Sequence, residues 1–223
     1  MLKKILIIIL TGALMFSVSG CKGSYAKCFE VEEKEPHDYI EMELVYYDED
    51  TLFKDSDLIF KGTVIEAKEI AIEKYIDGRL ADTYYVDVFT FEIEKIYYSE
   101  DSSLEAGDII KVGNDSCSNE WVTGTLEMEE NKKYIVLTEK EYNDQRYVDF
   151  TEYYDYYPAD YWVSIIPVVD GKYYVDIQLP SLTDNAEEEI IREDINFKTK
   201  VYVKGAGFED ELEALILEKK GES

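Results

Sequence analysis

Residues 84–98 read Tyr-Tyr-Val-Asp-Val-Phe-Thr-Phe-Glu-Ile-Glu-Lys-Ile-Tyr-Tyr, mostly β-branched and aromatic side chains with acids interleaved. Side chains of this kind suit a pleated, half-buried surface, so the stretch predicts a long β-strand. Its apolar face changes parity near Val88 and Phe89. Val86 and Val88 fall on one face of the pleat, whereas Phe89, Phe91 and Ile93 fall on the other, set against Thr90, Glu92 and Glu94. A parity change inside a long strand predicts a β-bulge, which lets one strand bend around the corner of a barrel.

Working outward, Leu58 to Ile65 is rich in β-formers and predicts the first strand, with a turn at Asp77-Gly78 before the long one. Thr51 to Asp57 predicts a short helix behind Asp50 as N-cap. Ile109 to Val112, Lys133 to Thr138 and Tyr161 to Ile166 are further strands, and Lys172 to Ile177 closes a hairpin across Asp170-Gly171. Residues 184–196 are ambiguous, since Asn185 to Glu193 favours helix by propensity but offers only Ile190 and Ile191 to a buried face. Phe208, Leu212, Leu215 and Ile216 recur at helical spacing, with Lys219 and Lys220 in the final turn, so Phe208 to Lys220 is expected to be a C-terminal amphipathic helix. The expected fold is mostly β: a small OB-like closed barrel of five or six strands with that helix packed on it. A β-sandwich fits the same pattern.

The 223 residues carry 50 acids against 23 Lys and Arg, a formal net charge of −27. Such a surface repels phosphate backbones, which excludes nucleic acid as a partner. The charge does not imply disorder, because 20 Tyr and 9 Phe supply the core-forming side chains that disordered chains lack.

Residues 1–20 have the three parts of a secretory signal: Lys3 and Lys4, an apolar run from Ile5 through Phe16, and small residues ahead of Cys21. The run is shorter than the ~20 residues needed to span a bilayer. Its end, Val18-Ser19-Gly20-Cys21, resembles the lipobox of bacterial lipoproteins. That resemblance implies cleavage before Cys21 and attachment of a diacylglyceryl group, with palmitate-like acyl chains holding the mature protein on the outer face of the cell membrane. Residues 21–50, with Glu30, Glu32, Glu33, Glu35, Asp38, Glu41 and Glu43, are expected to be an acidic, self-repelling tether, and residues 51–223 the barrel domain with its helix.

Asp57-Leu58-Ile59-Phe60-Lys61-Gly62-Thr63-Val64 is similar to the opening of the OB-type barrel shared by netrin-like modules and tissue inhibitors of metalloproteinases. Glu94-Lys95-Ile96-Tyr97, a turn at Gly107-Asp108, a loop cysteine at Cys117 and Tyr134-Ile135-Val136-Leu137 follow in the same order. The resemblance implies that Gly62 relieves crowding where the first strand crosses the barrel, that Tyr134 to Leu137 is buried on both sides, and that an N-terminal cysteine can pin a barrel loop. It does not carry protease inhibition with it. Those inhibitors chelate zinc through a free N-terminal cysteine amine, whereas here that cysteine is expected to be acylated.

With Cys21 acylated, Cys28 and Cys117 remain, either as a disulfide or as two thiols. Two cysteines and the single His37 fall short of a zinc site, and no cofactor is expected. One histidine in an acidic stretch gives no Ser-His-Asp or Cys-His arrangement, and the reading is non-enzymatic. Tyr142 to Trp162 is the most unusual segment; Tyr147, Tyr153, Tyr154, Tyr156, Tyr157, Tyr161 and Trp162 are its candidate binding surface, since tyrosine offers rigid amphipathic contact area. The alternative is that half of these rings cover the barrel. The expected function is a lipid-anchored module binding a protein or glycan through these rings. The other reading is an inhibitor-like module acting on an extracellular hydrolase through the loop near Cys117.

Overall fold

A computed structural model describes residues 25–31, 48–115, 128–141, 150–160, 163–194 and 197–221. The signal segment, Cys21, His37, Cys117, Tyr147, Tyr161 and Trp162 lie outside the described residues. The described strands are β1 (Tyr25–Glu30), β2 (Leu58–Ile76), β3 (Arg79–Ser99), β4 (Ile109–Asp115), β5 (Lys133–Lys140), β6 (Tyr156–Pro158), β7 (Ile165–Val169), β8 (Lys172–Asp176), β9 (Glu188–Asp194) and β10 (Phe197–Lys204). They form one sheet in the order β1-β2-β3-β4-β6-β5-β7-β8-β10-β9, and β2 also pairs with β5. The fold is thus mostly β, as expected, but with ten strands rather than five or six.

The added strands come from segments whose local sequence points elsewhere. β1 lies inside the stretch expected to be a free tether. It pairs with β2 from Tyr25↔Tyr75 to Glu30↔Ile70, on the same edge of β2 that β5 occupies from Leu58 to Thr63. The edge of β2 beyond Thr63 would otherwise be open, and β1 covers part of it. β9 replaces the helix favoured over Asn185–Glu193: its pairing with β10, from Phe197↔Asp194 to Val203↔Glu188, overrides helix propensity.

β2 runs on to Ile76 instead of ending at Ile65, and its 19 residues pair along their length with the 21 of β3. The hairpin turn falls at Asp77-Gly78 as expected, with φ of 54° and 75°, the paired left-handed geometry that matches strand twist. No bulge occurs at Val88 and Phe89. These residues pair with Lys68 and Ala67 in unbroken register, and the nearest shift lies across from them, at Ile65 on β2. The parity change has another cause. Phe89, Phe91 and Ile93 face the main core, while Val86 and Val88 join Ile70, Ile72 and Tyr154 in a second cluster. The strand passes from one core to another on its opposite face, and each core imposes its own apolar parity.

The main core is roofed by helices. α1 (Glu49–Asp55) is capped by Asp48, two residues earlier than expected: its Oδ1 accepts from the Thr51 N–H at 2.8 Å, and Glu49 and Asp50 sit in the first turn. α2 (Pro180–Thr183) is a single turn carrying the buried Leu182. α3 (Phe208–Lys220) has the expected bounds and buries the expected Phe208, Leu212, Leu215 and Ile216. Lys219 bonds Asp50, and Lys220 donates to the carbonyls of Lys54 and Ser56 at 2.9 and 2.6 Å, tying the end of α3 to α1. In β5, Tyr134 to Thr138 are all buried between β2 on one edge and β6 and β7 on the other.

Gly62 sits where β2 crosses this core. A Cβ there would lie 2.7 Å from the Glu92 carbonyl oxygen and within 3.2 Å of the Phe60 and Phe91 rings. Those two rings meet edge to face at 5.2 Å and cannot give way without loss. Gly62→Ala is therefore expected to lower stability by about 1–3 kcal/mol, the usual cost of overpacking, read as a lower denaturant midpoint at unchanged slope.

Candidate functional site

The tyrosine-rich segment divides between core and surface. After a short 3-10 turn at Phe150–Glu152, Tyr154 (8% exposed) and Tyr156 (4%) are buried, which removes both from any contact surface. The Tyr154 ring lies over Gly113, where a Cβ would come within 2.5 Å of it, so this glycine of β4 makes room for the ring. Tyr153 and Tyr157 are half-buried against the second cluster, and the Tyr157 hydroxyl donates to Glu139 at 2.8 Å. These four rings pack on the sheet.

Cys28 is an exposed free thiol on β1, opposite Ile72, and burial pushes its pKa up. β2 and β3 lie between β1 and β4, the strand from which Cys117 follows two residues later.

A strongly perturbed acid is Glu209, in the first turn of α3. It accepts from Lys61 at 2.6 Å, Lys95 at 2.8 Å and the Tyr173 hydroxyl at 2.6 Å. Burial opposes its charge, but these donors outweigh burial and pull its pKa down to about 2. Burial, reinforced by the bond to Glu209, pushes the Tyr173 phenol up to about 12. Beside it, Lys204 (side chain 4% exposed) pairs with Glu211 at 2.7 Å. Every one of these groups joins α3 to the sheet, with the acids placed where the helix dipole favours them. The cluster is a clamp.

A second polar feature crosses the sheet in register: Glu69, Asp87 and Asn114, buried side by side on β2, β3 and β4. All three are engaged with partners. Among the described residues no group of three or more His, Cys, Asp or Glu is placed to hold a metal ion.

One concave feature among the described residues is a groove of about 350 Å³. It is lined by Glu129, Lys132, Lys133 and Tyr134 from β5 and the turn before it, Pro167, Val168 and Val169 from β7, and Tyr174, Ile190 and Val201 from β8, β9 and β10. Its size falls in the range of small-molecule and peptide pockets. One side of the rim carries charge of both signs: Glu129, Lys133 in an ion pair with Glu94 at 2.6 Å, and the exposed Lys132. Tyr134 is fixed by the Glu129 N–H, which donates to its hydroxyl at 3.0 Å. No reading of local sequence nominates these residues, because they come from five strands and are neighbours only through strand order. The chain matches no family model and no curated protein in sequence.

Two outcomes follow. Glu209 has its pKa depressed, so its contribution is present above the ordinary value of 4.5 and is lost as pH falls toward 2. Glu209→Gln should flatten the acid side of the stability profile in that window and cost on the order of 2 kcal/mol at neutral pH, measured by denaturation at several pH values. Cys28 should react with a maleimide in the native protein without prior reduction, which peptide mapping detects.

Proposed function

We propose that this protein is a lipid-anchored, extracytoplasmic binding module, non-enzymatic, whose groove holds an extended, apolar segment of another protein. The observation that carries the reading is the groove itself: an apolar floor of Val168, Ile190 and Val201 with Lys132 and Lys133 at one side. Valine, isoleucine and proline contribute apolar contact rather than the hydrogen-bonding groups that sugars require, which favours a polypeptide over a glycan. β9 at the groove's far side has no neighbour on its outer edge among the described residues, so backbone groups are open to an added strand. Lys132, exposed at the rim, suits an acidic residue in the guest.

The anchor is supported by Val18-Ser19-Gly20-Cys21 behind its apolar run. Return of β2-β3-β4-β6-β5 to β2 by pairing supports reading those five strands as an OB-like barrel, with β7 to β10 as an appended sheet that builds the groove. The strongly perturbed acid Glu209 serves the clamp, and this favours binding over catalysis.

A photoreactive residue at the exposed Val169, in protein expressed in its native membrane, tests the reading. One protein crosslinked recurrently, and lost when Val168→Asp and Ile190→Asp are introduced together, is the expected result. Crosslinks to wall polymer alone, or an unchanged partner in the double variant, overturn it.

A further inference from the structure

The β2–β3 hairpin tip is an exposed apolar end that the fold sets beside the N-terminus. Ile76 (45% exposed), Leu80 (52%) and Tyr25 (47%) crowd around the Asp77-Gly78 turn. Tyr25 is the direct register partner of Tyr75, which in turn pairs with Leu80, so these three share one face of the ribbon while Ile76 points to the other. The Tyr25 and Tyr75 rings stack at 5.0 Å, nearly parallel, and the Lys27 ammonium lies 4.6 Å above the Tyr75 ring. Among the described residues the second cluster reaches no further toward this end than Ala26, Ile72 and Tyr84.

We propose that this tip seats in the headgroup region of the membrane that holds the acylated Cys21. The inference rests on the lipid-anchor reading. Tyr25 is the fourth residue after Cys21, so it cannot lie more than about 14 Å from the anchored cysteine, whatever path the chain takes. A tether of thirty residues would leave the orientation of the domain free. A leash of four residues ending in a strand of the sheet does not.

The local charge fits the same surface. Around the tip, Lys27, Lys74 and Arg79 balance Glu73, Asp77 and Asp82, on a chain with 50 acids against 23 bases. The opposite end of the hairpin, near Leu58 and Ser99, is flanked by Asp57, Glu100, Asp101, Glu105 and Asp108. An anionic bilayer repels that end and tolerates the tip, where tyrosines and a basic side chain suit the interface. Two acyl chains supply the holding strength and the tip supplies orientation, so the α3 end of the molecule points away from the lipid.

The test uses the full acylated protein, with Cys28→Ser and Cys117→Ser, reconstituted into vesicles of equal parts phosphatidylglycerol and phosphatidylcholine. A single cysteine carrying an environment-sensitive dye is placed at Leu80→Cys, at Ile76→Cys, or at Ser102→Cys on the far end. Intact mass and flotation are recorded on each sample. The expected result is a blue shift and quenching by spin-labelled lipid at positions 76 and 80 but not at 102, with a loss of quenching when Lys27→Glu and Arg79→Glu are added. Acylated, floating protein whose tip labels behave like the label at 102 overturns the seating of the tip and leaves the anchor standing. Protein that carries no acyl mass and does not float overturns both.

Discussion

The structure depends on β2 being paired on both edges over most of its length. β3 follows one edge through all of β2, and β5 and β1 divide the other edge between them. Through β5, β2 connects to the sheet of β7 to β10, and through β1 it connects to the N-terminal segment. The contact is mainly main-chain hydrogen bonding, which costs most when left unmade. Where β2 crosses the core only glycine fits, since Gly62 lies against the Glu92 carbonyl. A strand paired in this way is a rigid axis, and both ends of the molecule take their positions from it.

At one end of the axis the helices close the main core. Phe53, Leu58, Phe60, Phe91 and Phe208 are fully or almost fully buried, and Tyr173 packs on Phe208 with ring centroids 4.6 Å apart. The Tyr173 hydroxyl then reaches Glu209, so a single side chain joins the apolar core to the charged clamp. Glu209 is only partly buried, which lets a carboxylate hold two lysines without the desolvation cost of a deep site. The same helix end therefore fixes α3 on β2 and β3, while Lys219 and Lys220 at its other end fix it on α1.

At the other end of the axis the hairpin outruns the main core. Its middle is covered by the second cluster, where Tyr154 lies over Gly113 and stacks on Phe150 at 5.8 Å, and its tip is bare among the described residues. Tyr153, Tyr154 and Tyr157 thus pack on an extended ribbon. The groove arises on a different part of the sheet, where β9 and β10 continue beyond β8.

What could be read from sequence had local causes. The Asp77-Gly78 turn needs left-handed backbone, the spacing of Phe208, Leu212, Leu215 and Ile216 has a helical period, and Gly62 interrupts an otherwise bulky strand. Each signal lies within a few residues of its effect. The parity change at Val88 and Phe89 was also visible, yet its cause was two separate cores on opposite faces, which a single strand cannot reveal. Likewise Glu188–Asp194 is strand because β10 offers it an edge, and Tyr25–Glu30 is strand because β2 does. The groove was beyond reach for the same reason, since Tyr134, Val168, Tyr174, Ile190 and Val201 are joined by strand order alone. The sequence by itself determined the turns, the C-terminal helix and the predominance of strand, because backbone conformation and side-chain period are local. Only the tertiary structure decided which edges were open, which faces were covered and where Tyr25–Glu30 lies, because pairing partners are chosen across long separations by the surfaces left to be buried.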